Sequence, residues 1–164
     1  MADRPEQRPA GSLRLVLITV FGPLAFFFGA MALSNATDVL ARAGIGLGVW
    51  RSRNVAYAES VLAHVGWGPE LGFWVVLGAT LCEGLAALGF LVAAARLIVG
   101  RPGVVPAVRV GSAGAFLGMI GLAWGIEGFL VFEVADWSKN VIAAGLAGVA
   151  WIGAEMTLRD ADGA

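Results

Sequence analysis

Two glutamates stand inside apolar runs of this chain, Glu83 in "ATLCEGLAALGF" and Glu127 in "GLAWGIEGFL". An ionisable group at bilayer depth costs roughly 2.5 to 3.5 kcal/mol on insertion scales and is a functional candidate by default. The chemistry open to such a carboxyl is proton uptake and release, binding of a hydrogen-bond donor, or a bond between helices. A third polar cluster, Asn35, Thr37 and Asp38 in "SNATD", follows the first apolar run. It formally matches a glycosylation acceptor. It also reads as a cap, with Thr37 or Asp38 starting a short helix "VLARAG" that Gly44 closes, or as part of a binding surface.

Metal and cofactor chemistry finds no such pattern. His64 is the one histidine, no paired Glu-x-x-His occurs, and there is neither a Cys/His cluster nor a Gly-rich phosphate loop. No cofactor is expected. No nucleophile is paired with a base, so the chain does not read as an enzyme.

The elements that position these residues follow from composition. Of 164 residues 59% are hydrophobic and 14% charged, against about 25% charged in ordinary soluble domains, so the chain lacks the polar surface to coat a sphere. A formal net charge of −1 excludes a nucleic-acid footprint, which needs a basic face. The single cysteine, Cys82, excludes an internal disulfide framework. A lipid bilayer is the expected surrounding.

Four segments have the roughly 20 apolar residues of a span: about 13–33, 71–95, 110–132 and 141–158. The expected fold is all-α, one domain over 1–164, a four-helix transmembrane bundle. Its long extracytoplasmic loop, 34–69, carries a short amphipathic helix: Asn54 is a plausible N-cap, and Val55, Ala58, Leu62 and Val65 recur at helical spacing. That helix either lies on the outer membrane surface between Trp50 and Trp67 or folds back over the bundle mouth as a lid. Seven basic residues (Arg4, Arg8, Arg14, Arg96, Arg101, Arg109, Arg159) fall on one side and four (Arg42, Arg51, Arg53, Lys139) on the other. Both termini are therefore expected in the cytoplasm of a multi-pass cell-membrane protein. An alternative reading makes the first apolar run, ending in "AMA", a cleaved secretory signal.

Within this frame the face of Glu83 carries Gly72, Val76, Ala79, Thr80, Ala86, Ala87, Phe90 and Ala94, small enough for neighbouring helices to approach. Glu83 should point inward. No Lys or Arg lies at its depth, so its partners must be neutral groups, and burial without a cation favours the uncharged acid. Packing glue between helices is the plain alternative to a proton- or ligand-linked role. Glu127 shares a face with Phe116, Ile120, Ala123 and Val131, away from a stripe of glycines at 111, 114, 118, 121, 125 and 128. Steps of three and four keep Gly111, Gly114, Gly118, Gly121, Gly125 and Gly128 toward one neighbour. The expected neighbour is the last helix, through Ala144, Gly145 and Gly148. Glu155 stands four residues before Arg159, spacing for an interfacial ion pair.

The stretches "LSNATDVL", "ATLCEGLAALGFLVAAARL" and "GFLVFEVADW" resemble domain-of-unknown-function family 2165, predicted small integral membrane proteins. The resemblance implies a four-helix membrane protein with an Asn-x-Thr-Asp motif after helix one, a glutamate in helix two and a Glu-x-Phe…Trp run leaving helix three. The matching positions are Asn35, Thr37 and Asp38; Glu83; and Glu127, Phe129 and Trp137. The chain departs from that pattern in the long loop and at Gly128, where an aromatic is common. Helix one would then belong to the domain, which argues against cleavage. Two functions remain open: a non-catalytic helper, assembly or packing subunit, partnered by other membrane subunits or by itself, and a small proton-linked carrier using Glu83, perhaps with Glu127.

Overall fold

The computed structural model describes residues 11–46, 52–64, 66–122 and 138–162. Among them the chain is all-helical, in the order α1 (Gly11–Arg42), α2 (Asn54–His64), α3 (Leu71–Val99), α4 (Val104–Leu122) and α5 (Ser138–Asp162). Two of these, α1 and α3, are long and apolar enough to cross a membrane, whereas the apolar stretches of α4 and α5, Val104–Met119 and Ile142–Leu158, are shorter. The long helices pack in chain order, α1 on α3, α3 on α4 and α4 on α5, and α2 lies against α3 and α1.

Helix α1 passes straight through "SNATD", where the sequence predicted a break and a separate short helix. Thr37 Oγ1 donates back to the Ser34 carbonyl at 2.8 Å, and Asn35 and Asp38 are both buried with partners on other helices. Their side chains therefore have no need to compete for the helix's own backbone. Gly44 does close the element, as expected, but it closes all of α1. Its φ of +81° lets the Gly44 N–H reach Ala41 O at 3.1 Å and the Ile45 N–H reach Leu40 O at 2.8 Å. The same paired bonds end α3 at Gly100, where the Arg101 N–H donates to Arg96 O at 2.9 Å. Arg14 adds a guanidinium donor to the Ile98 carbonyl, so α1 caps the last turn of α3.

Helix α4 begins at Val104, earlier than the predicted Val110. Pro106 falls in its first turn, where a missing N–H leaves no bond unmade.

The core is built on three aromatic rings. Phe90 of α3 stacks on Phe21 and on Phe28 of α1, at centroid distances of 6.2 and 6.1 Å, and all three are fully buried. Around them α3 and α4 approach closely. A Cβ added to Gly89 would come within 2.5 Å of Gly111 Cα, and one added to Gly114 would meet Cys82 O at 2.6 Å and Ala86 N at 2.7 Å. Gly118 faces Cys82 and Glu83 less tightly.

Gly111, Gly114 and Gly118 thus pack on α3, which corrects the expectation that they pack on the last helix. The reason lies in the partner surfaces. Only α3 offers a glycine, Gly89, opposite Gly111, while α5 meets α4 through bulkier alanines. Ala143, Ala147, Ala150 and Ala154 are buried there, Ser112 Oγ donates to Ala147 O at 3.1 Å, and Gly148 abuts Phe116. Ala144 is half-buried beside this face and Gly145 points away from it. The packing of Gly121 lies outside the described residues, as do Gly125 and Gly128.

The outer surfaces of the long helices are apolar. Phe26, Leu81, Leu117 and Met156 are 79%, 63%, 66% and 81% exposed, with Leu15, Leu91 and Ile152 alike. Many large apolar side chains face outward while Glu83, Asn35 and Ser112 are closed inside.

Candidate functional site

Glu83 stands near mid-length of α3 and is 0% exposed. The small residues predicted to share its face are what bury it: Val76, Ala79, Ala86 and Phe90 line the same side of α3, and Gly118 of α4 leaves room beside it. Its Oε2 accepts a hydrogen bond from Asn35 Nδ2 of α1 at 2.8 Å, across 48 positions of sequence. Its Oε1 has no hydrogen-bond partner among the described residues. Neither ion pair formed by the described residues involves Glu83. Its hydrogen-bond partner among the described residues, Asn35, is neutral.

Asn35 is 4% exposed and uses both ends of its amide. Its Nδ2 serves Glu83, and its Oδ1 accepts from Asn54 Nδ2 at the start of α2. An asparagine so engaged presents no acceptor for a glycan. Asp38, one turn further along α1, accepts from the Val55 N–H at 2.8 Å and caps α2 from a distance. Ser52 Oγ reaches the Ser34 carbonyl at 3.3 Å. The backbone before α2 is left-handed at Arg53, φ 60°, and the Arg53 carbonyl accepts from the Tyr57 N–H at 2.9 Å. Arg53 therefore occupies the cap position expected of Asn54, and Asn54 is freed to bond α1.

These bonds fasten the start of α2 to α1. It is folded back on the bundle: Val55, Ala58 and Val61 pack with Val39 and Val76, Gly72 lies under the Glu59 backbone, and Arg42 bridges Glu59 at 2.9 Å. Val65 lies outside the described residues.

The structure brings together Asn35, Asp38 and Glu83. Thr37 stays on its own helix, bonded to Ser34. Glu127 and Trp137 lie outside the described residues. His64 is exposed in the last turn of α2, and no group of three or more His, Cys, Asp or Glu side chains that could hold a metal ion occurs among the described residues.

Sequence reasoning missed Asn54 and Ser52 as partners of α1, because a contact between a loop and a helix leaves no periodic signal. It also missed Arg109, which grips Glu155 through Nε and through Nη2, the latter at 2.9 Å, while Trp151 Nε1 donates to the same carboxylate at 3.0 Å. The side chain of Arg159, the expected partner, lies outside the described residues.

The arrangement can hold a neutral or charged carboxyl in an apolar interior, with one oxygen fixed by an amide and the other open to a donor or a proton. No protein-family model, curated protein or solved structure matches the chain.

Proposed function

We propose that the chain is a multi-pass cell-membrane protein with α1, α3, α4 and α5 crossing the bilayer and both termini in the cytoplasm. Within that membrane it serves as a non-catalytic helper, assembly or packing subunit, joined to other membrane subunits or to copies of itself. The observation that carries this reading is a set of outward glycines. Gly22 of α1, Gly78 and Gly84 of α3, and Gly145 and Gly153 of α5 have no described atom within 4 Å of an added Cβ. Each costs roughly 1 kcal/mol relative to alanine in a helix. Gly89, Gly111 and Gly114 recover that cost inside the chain by close approach, and the outward ones do not. In lipid, small residues on an outer face let a second helix come close. A partner helix is what they fit.

Tagged protein extracted from native membranes in mild detergent should carry a stoichiometric membrane partner. Gly78→Leu or Gly145→Leu should loosen that partner while leaving the thermal stability of the isolated chain unchanged. Recovery as a lone monomer would overturn the proposal.

The resemblance to domain-of-unknown-function family 2165 belongs with this reading. Asn35 and Glu83, from two of the stretches that carry the resemblance, are bonded to each other.

A second reading, a small proton-linked carrier, is favoured by the fully buried Glu83 with its unpartnered Oε1. Glu83→Gln keeps volume and the Asn35 bond but carries no exchangeable acid. Purified chain in liposomes with an internal pH dye should lose proton flux on this change. Flux equal to wild type sinks the carrier.

A further inference from the structure

Three polar side chains form a line from the surface to the buried carboxyl. Asn54 is exposed, Asn35 nearly closed and Glu83 fully closed, and each is bonded to the next. The line ends on Oε1, which has no partner among the described residues. Its outer end is a fastening. Ser34, Asn35 and Asp38 of α1 hold Ser52, Asn54 and the Val55 N–H at the opening turn of α2. The segment they hold includes Arg53 in the left-handed region, a conformation disfavoured for a non-glycine residue. These bonds keep a strained segment in place, and their release relieves it.

Further along α3 the described core is apolar. Ala86, Phe90, Phe21, Phe28 and Ala93 are all fully buried and offer no polar atom outside the backbone. Among the described residues the titratable groups on the surrounding elements are few. Cys82 adjoins Glu83 on α3, Asp38 of α1 is bonded to Val55, and Glu59 and His64 of α2 are respectively bridged to Arg42 and exposed.

We propose that Glu83 exchanges its proton on the α2 side, through an opening made when the first turn of α2 lifts from Ser34, Asn35 and Asp38. Water then enters along Asn54 and Asn35. A hydronium ion transfers one proton to Oε1, forming the O–H bond and leaving as water, and the reverse step returns it. This deepens the carrier reading and rests on it.

The test uses the full chain in detergent micelles and two carbodiimides, both of which modify protonated carboxyls, with Glu83 modification read by mass spectrometry. One is water-soluble; the other, dicyclohexylcarbodiimide, partitions into apolar interiors. Asp38→Ala removes the cap on α2 and should raise modification by the water-soluble reagent roughly five- to tenfold, the factor expected for loss of a helix cap. Modification by the apolar reagent should stay at the wild-type rate. Glu59→Gln, which releases Arg42, should act in the same direction and guards against a folding defect peculiar to Asp38→Ala. Unchanged water-soluble modification in both variants overturns the route, and so does an equal rise with both reagents, which would report general loosening. Failure of the carrier reading shows separately, as proton flux that survives Glu83→Gln while the α2-dependent access persists.

Discussion

Asn35 donates to Glu83 Oε2 at 2.8 Å, joining α1 to α3 where both side chains are closed to solvent. A buried acceptor left without its donor costs about 1–3 kcal/mol, whereas exchanging both members for apolar groups of similar shape is nearly neutral. Asn35→Ala should therefore lower stability by about that amount in a detergent unfolding titration. Asn35→Leu with Glu83→Leu should recover most of the loss. A double variant no more stable than the sum of its singles would contradict the pairing.

The close approach of α3 and α4 predicts an order among glycines. Gly89→Ala and Gly114→Ala push a methyl into the facing backbone and should cost about 1–3 kcal/mol each. Gly118→Ala meets the Cys82 side chain at 3.2 Å and Glu83 no nearer than 3.8 Å, and should cost less. Gly145→Ala meets nothing and should leave the thermal midpoint of the purified chain level or raised. A ranking with Gly145→Ala among the most harmful would show that the helices are arranged otherwise.

Asp38→Ala strips the cap of α2, worth about 1 kcal/mol. Amide hydrogen exchange across 55–62 should quicken roughly fivefold, the factor that such a change gives, while α3 around Phe90 keeps its protection. Uniform quickening along the chain would assign Asp38 to the global fold instead.

The grip of Arg109 on Glu155 should matter little. Their side chains are 49% and 23% exposed, and ion pairs reached by water contribute about 0–1 kcal/mol. Glu155→Gln should shift stability by less than about 1 kcal/mol, with the difference shrinking in high salt. A larger, salt-independent loss would mean that this pair is sheltered from solvent.

How much of this was legible beforehand depends on the distance over which each signal acts. The small face around Glu83 and its inward aim follow from helical spacing within α3, and both are observed. The apolar side of α2 likewise follows from Val55, Ala58 and Leu62. What the spacing could not carry was pairing across long stretches of chain. Nothing near Asn35 names Glu83 or Asn54 as its partner, so "SNATD" read as a local cap. For the same reason the glycine stripe was directed to the helix next in sequence. Its actual partner is set by Gly89, a single small residue whose meaning appears only when α3 and α4 are side by side.

The stack of Phe90 between Phe21 and Phe28 has a consequence for the length of α1. Those rings fix how α1 is rotated against α3, and six residues separate Phe28 from Asn35. One residue gained or lost in that interval would swing Asn35 by about 100° around the helix and carry its amide off Glu83. Residues 29–34 act as a ruler: the number of residues between the rings and the amide is constrained more tightly than their identity. In a descendant of this chain that still holds the carboxyl, insertions belong in the stretch between α1 and α2, never between Phe28 and Asn35.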